Sequence, residues 1–189
     1  MAYDPVTESL RLIESRELSR VRSLSRRRRH AAMALDVSED IAVTMFARRS
    51  VGCIVEETHV FTRHGDRWRI LGGGGGPLDD RALEDRPAEL PAGLRAAPGV
   101  DARVLALEGA GGIVDSHYKS WRPTRGRWIN YGIVRVNIDV ARLLVASREI
   151  TVPWHGRCVV AWPGGRAQKL SILGTDGQRL GQISLDRSP

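Results

Sequence analysis

The sequence predicts an α+β fold, mainly β: a long N-terminal helix with an antiparallel β-meander, followed by a small β-sandwich. Three observations lead there. Leu10, Ile13, Leu18, Val21 and Leu24 form a narrow apolar stripe behind Asp4-Pro5. Residues 41–71 switch to apolar runs separated by turn-forming residues. Beyond residue 100, Val134, Val136, Ile138 and Val140 alternate with Arg135, Asn137 and Asp139, which is the period of a sheet with one wet face.

The helix is predicted over residues 6–34, because an Asp N-cap followed by Pro suits the unpaired first-turn amides. Its other faces carry Arg11, Arg16, Arg20, Arg22 and Arg26 to Arg29, with the acids Glu8, Glu14 and Glu17 towards the N-terminus, a gradient that complements the helix dipole. Three strands follow: Ile41 to Phe46, Val51 to Thr62 and Trp68 to Leu71. Arg48-Arg49-Ser50 and Arg63-His64-Gly65-Asp66 are the turns between them. The five glycines Gly72 to Gly76, followed by Pro77, are predicted to end that unit as a flexible hinge.

This reading divides the chain into a helix-plus-meander unit over residues 1–76, a linker or long loop over 77–99, and a sandwich-like domain over 100–189. Its strands are predicted at Val104 to Leu107, Ile113 to Tyr118, 134–140, Glu149 to Val152, Arg157 to Trp162, Lys169 to Leu173 and Leu180 to Leu185. Asp176-Gly177 turns the last pair. An immunoglobulin-like sandwich is one arrangement of such strands, and a barrel is another.

A chain of 189 residues with 42% hydrophobic and 27% charged residues is in the globular class. It contains no apolar run of the roughly 18 to 20 residues that a membrane helix needs. The formal charge of +7 comes almost entirely from arginine, with Lys119 and Lys169 the only lysines. That balance favours anionic partners without choosing among them. Two cysteines, Cys53 and Cys158, each in an apolar run, exclude a disulfide-rich scaffold and are expected as buried free thiols, a single long-range bridge in an exported protein being the alternative. No secretory signal pattern is present at Met1 to Pro5, so a cytoplasmic location is expected.

The stretches Ile150 to Gly156, Cys158 to Gly164 and Leu170 to Gly181 resemble the C-terminal β-rich module of uncharacterised actinobacterial proteins. That resemblance implies a β-rich fold and carries no functional residues with it. The helix-then-sheet order of the N-terminal unit resembles the start of NTF2-like cone folds, which implies a small-molecule pocket there.

No catalytic residue is nominated. The glycine run lacks the Lys-Ser/Thr of a phosphate loop. Asp115, Ser116 and His117 are neighbours that a strand would point to opposite faces, so they cannot assemble a triad. His59 and His64 are spaced to face apart, neither a C-x-x-C nor an H-E-x-x-H pattern occurs, and no metal or cofactor is implied. The candidate site is the segment 119–128, in which Lys119, Arg122, Arg125 and Arg127 interleave with Trp121 and Trp128. Such a loop can neutralise anions while its indoles stack on bases or anchor a protein contact. A second basic patch is Arg26, Arg27, Arg28 and Arg29. The expectation is a non-catalytic interaction protein whose basic, Trp-containing loop binds an acidic protein surface. Nonspecific nucleic-acid binding is the alternative, and the NTF2-like pocket is the third reading.

Overall fold

In a computed structural model, residues 3–118 and 126–186 are described. Among them the only helix is α1, Pro5–Ser15, and the rest of the regular structure is eleven strands. Asp4 caps the helix by accepting the Thr7 amide at 2.9 Å, with Pro5 in the first turn. The long helix predicted over 6–34 is not formed. Arg16 turns into the left-handed region at φ 56° and donates its amide to the Leu12 carbonyl, which ends the helix after Ser15. Beyond it, a helix would stack like charges at i,i+4, Arg16 on Arg20 and Arg22 on Arg26. His30–Ser38, whose alanines favour a helix locally, forms strand β1 instead and buries Ala31, Met33 and Ala34.

The first sheet has the order β1-β2-β3-β4, all antiparallel, with β2 at Ile41–Arg49, β3 at Ile54–His64 and β4 at Arg67–Leu78. The expected meander therefore has four strands. The turn between β2 and β3 falls at 50–53, later than predicted. Strand β4 runs straight through Gly72 to Gly76, paired with β3 along its whole length, so the glycines are not a hinge. They are glycines for a steric reason: a Cβ on Gly73 or Gly75 would collide with the carbonyl oxygen of Thr58 or Glu56.

The middle sheet has the order β5-β6-β9, from Leu105–Asp115, Arg127–Val136 and Arg157–Pro163. Residues 105–115 are one continuous strand rather than two, and Arg127 and Trp128 lie in β6 rather than in a loop. The third sheet has the order β11-β10-β7-β8, from Arg179–Leu185, Gln168–Gly174, Val140–Val145 and Arg148–Thr151.

Alternation along β6 and β9 explains how the sheets stack. Val134, Val136, Cys158, Val160 and Trp162 face the third sheet and join Leu143, Leu170 and Ile172 in one core. The intervening Ile129, Ile133, Val159 and Ala161 face the first sheet and join Met33, Val43, Met45 and Val60 in another. Each face of the middle sheet thus contributes to a core, and each aliphatic side chain so buried contributes about 1.5–3 kcal/mol. Helix α1 covers the outer face of the first sheet, where Ile13 packs on Ala42 and Phe61. The face that a cone fold would leave open as a pocket is thus filled by β6 and β9. Segment 77–99 contributes Ala82 and Leu83 to the same core and is tied down by the Trp154 indole N–H, which donates to the Leu83 carbonyl at 2.9 Å.

Candidate functional site

Of the sequence-nominated loop, Lys119, Trp121, Arg122 and Arg125 lie outside the described residues. Its far end is placed, and it is engaged within the molecule. The Arg127 guanidinium donates to Asp40 Oδ1 at 2.8 Å and to Thr62 Oγ1 at 3.2 Å, and stacks 4.2 Å above the Tyr118 ring. The Trp128 indole N–H donates to Asn130 Oδ1 at 2.6 Å, and its ring lies where a Cβ of Gly112 would be.

Asp115 sits beneath Arg127, fully buried. It accepts the Thr62 hydroxyl at 3.0 Å and the His117 amide at 3.1 Å, with His64 Nε2 3.4 Å away. It organises the end of β5 rather than a nucleophile. No group of three or more His, Cys, Asp or Glu side chains that could hold a metal gathers among the described residues.

The second patch has the opposite character. Arg26 to Arg29 precede β1, and a local turn shapes them: the Ser25 amide donates to the Arg28 carbonyl at 2.9 Å, and the Arg28 amide to Ser25 Oγ at 3.0 Å. The Arg49 amide then donates to the Arg29 carbonyl at 2.7 Å, which carries the end of β2 alongside. The result is a hollow of about 720 Å³ whose wall includes Arg27, Arg28, Arg29, Arg48 and Arg49, with Glu57 the one acid. Arg48 is paired with Glu57. Among the described residues, no ion pair or side-chain hydrogen bond engages the guanidinium groups of Arg26, Arg27, Arg28, Arg29 or Arg49, all of which are exposed.

The floor is tied to the helix. Tyr3 packs on His30 with ring centroids 4.7 Å apart, and His30 Nε2 lies 3.7 Å from Glu8 Oε2. Burial, reinforced by the Glu57 charge, pushes the Tyr3 hydroxyl above its ordinary range and keeps it neutral. At the rim, the tip of the β2–β3 hairpin presents Val51, 97% exposed, and the exposed thiol of Cys53. Cys158 is buried, so the two thiols differ in exposure, contrary to the expectation of two buried ones.

Arg127 lies apart from the Arg26 to Arg29 patch. Arg127 reaches Asp40 beside the β1–β2 turn, whereas His30 pairs with Arg48 at the other end of that hairpin. A nine-residue strand separates them by about 30 Å at ~3.3 Å per residue. Sequence reading located the Arg26 to Arg29 patch but missed Arg48 and Arg49 as its other wall, because it read them only as a turn.

No protein-family model, curated protein or solved structure matches the chain. No helix among the described residues is long and apolar enough to cross a membrane.

Proposed function

We propose that the protein is a non-catalytic binding protein that takes an acidic protein segment at the hollow formed by Arg27, Arg28, Arg29 and Arg49. The observation that carries this reading is the convergence of these four guanidinium-bearing residues on one hollow, with no intramolecular carboxylate on any of the four among the described residues. A planar guanidinium presents its donors in a fork that matches a carboxylate. Val51, fully exposed on the β2–β3 hairpin two residues from Arg49, favours a protein partner over a nucleic acid, because it offers an apolar contact beside the charges. Lys119, Trp121, Arg122 and Arg125 lie outside the described residues, and this reading does not rest on them.

The test is fluorescence anisotropy with labelled poly-L-glutamate and a single-stranded oligonucleotide of equal charge. The wild-type protein binds polyglutamate, and binding weakens as salt screens the charges. Replacing Arg27, Arg28, Arg29 and Arg49 together with Ser weakens it by roughly tenfold or more, about 1.4 kcal/mol, with an unchanged melting temperature. Tighter binding of the oligonucleotide would support the nucleic-acid reading instead, and unchanged affinity in the fourfold variant would remove the hollow as the site.

A further inference from the structure

A second concavity lies at the opposite edge of the first sheet, and glycine creates it. Strands β4 and β5 are both edge strands, and where they approach, Gly76 leaves the space between the sheets unfilled. A Cβ built on Gly76 would meet nothing within 4 Å. The resulting cleft, about 590 Å³, is in the size range of small-molecule sites.

Its polar wall comes from β6 and β9. The Arg157 side chain, 3% exposed, is saturated: it donates to Glu108 Oε2 at 2.7 Å, to Asp79 Oδ2 at 3.0 Å and to the Ala82 carbonyl at 3.0 Å. The Arg135 side chain, 12% exposed, is not. It forms longer ion pairs with Glu108 at 3.6 Å and Asp79 at 3.8 Å, and its buried Nε has no acceptor. A guanidinium paired only at these longer distances retains donor capacity for a closer acceptor. Tyr131, Ile133 and Leu107 supply an apolar surface beside it.

The geometry points to a binding site for a small monocarboxylate with an apolar body, its carboxylate on Arg135 and its body against Tyr131, Ile133 and Leu107. A phosphate, with close to two negative charges at neutral pH, fits less well, because Glu108, Asp79 and Glu56 all border the cleft. Burial raises the Glu56 carboxyl above its usual value, with Glu108 adding to the shift and the Thr58 hydroxyl bond and Arg157 opposing it. This site is independent of the arginine hollow.

The experiment is isothermal titration of the full chain carrying the fourfold Ser replacement at Arg27, Arg28, Arg29 and Arg49, so that the hollow does not contribute. The probes are benzoate, its neutral counterpart benzamide, and inorganic phosphate. Benzoate is expected to bind saturably, and benzamide and phosphate at least roughly tenfold more weakly. Arg135→Gln abolishes the preference for benzoate over benzamide. Gly76→Phe, whose ring enters the open space and leaves Arg135 intact, blocks both aromatic probes and keeps the reading clear should Arg135→Gln unfold. Equal binding of benzoate and benzamide, no benzoate binding, or full benzoate binding by Gly76→Phe would each overturn the proposal.

Discussion

Arg148 holds Asp36 through two hydrogen bonds, Nε to Oδ1 at 2.9 Å and an NH2 to Oδ2 at 2.7 Å, across 112 residues of sequence. Asp36 is on β1 of the first sheet and Arg148 on β8 of the third. Both also reach β9 of the middle sheet: Asp36 Oδ2 accepts the Ala161 amide at 2.7 Å, and Arg148 donates to the Ala161 carbonyl. Strand β9 is an edge of its sheet, so these two side chains satisfy backbone groups that a neighbouring strand would otherwise pair. One buried ion pair therefore joins all three sheets.

Replacing Arg148 with Met leaves Asp36, 2% exposed at its side chain, as an uncompensated buried charge. The expected loss is about 3–5 kcal/mol in urea unfolding, and the added replacement Asp36→Leu recovers part of it. A loss under about 1 kcal/mol for the single variant would show that the pair does not hold the sheets together.

Much of the β architecture was readable. Asp4-Pro5 starts the helix, Gly65-Asp66 and Asp176-Gly177 turn hairpins, and the runs at Ile41, Arg157, Lys169 and Leu180 are strands. What misled was composition. His30 to Ser38 reads as helical because alanine and methionine favour helices, yet pairing with β2 and burial of Met33 outweigh that preference. Glycine is depleted in strands, so Gly72 to Gly76 and the glycines at 109, 111 and 112 read as breaks, whereas close backbone approach at Gly73 and Gly75 and overlying aromatic rings at Gly111 and Gly112 require four of them. Arg135 sits in an alternating pattern that reads as a wet face, but here that face meets another sheet. No local signal distinguishes an arginine facing water from one facing a second sheet.

The glycine strand should respond unevenly to added methyl groups. Gly73→Ala forces a Cβ into the Thr58 carbonyl and is expected to cost about 1–3 kcal/mol. Gly76→Ala meets open space and should be neutral or stabilising by about 0.5 kcal/mol. Chemical denaturation of the two variants checks the contrast, and equal effects would contradict the strand geometry.

His155 makes stability depend on pH. Burial, aided by the charges of Arg157, Arg135 and Arg86 and opposed by the hydrogen bond to Met33, holds its pKa down at about 4 against an ordinary 6.5. Its Nε2–H faces the Met33 carbonyl at 3.0 Å and its Nδ1 accepts the Arg157 amide at 3.0 Å, an arrangement only the neutral ring satisfies. Below the ordinary value the unfolded chain takes up a proton that the native state refuses. Stability is thus full above about 6.5 and falls as pH drops towards about 4. Between pH 7.5 and 5 the wild type should lose about 2 kcal/mol more than His155→Gln, at ~1.4 kcal/mol per pH unit. Parallel profiles for the two proteins would refute the assignment.

The thiols should titrate separately. Burial pushes the Cys158 thiol up to about 12, whereas Cys53 is exposed at a hairpin tip. A chromogenic disulfide reagent is expected to modify one thiol in the native protein and both in denaturant, and Cys53→Ser should abolish the native reaction. Two reactive thiols in the native state would show that the core around Cys158 is open.

Because Cys53 stands beside the arginine hollow, it also reports on the central claim. An environment-sensitive dye on Cys53, titrated with a synthetic peptide of alternating Glu and Leu, should give a saturable signal that salt suppresses. The fourfold Ser variant at Arg27, Arg28, Arg29 and Arg49, labelled at the same thiol, should give none at the same concentrations. Superimposable titration curves for the two labelled proteins would contradict the account.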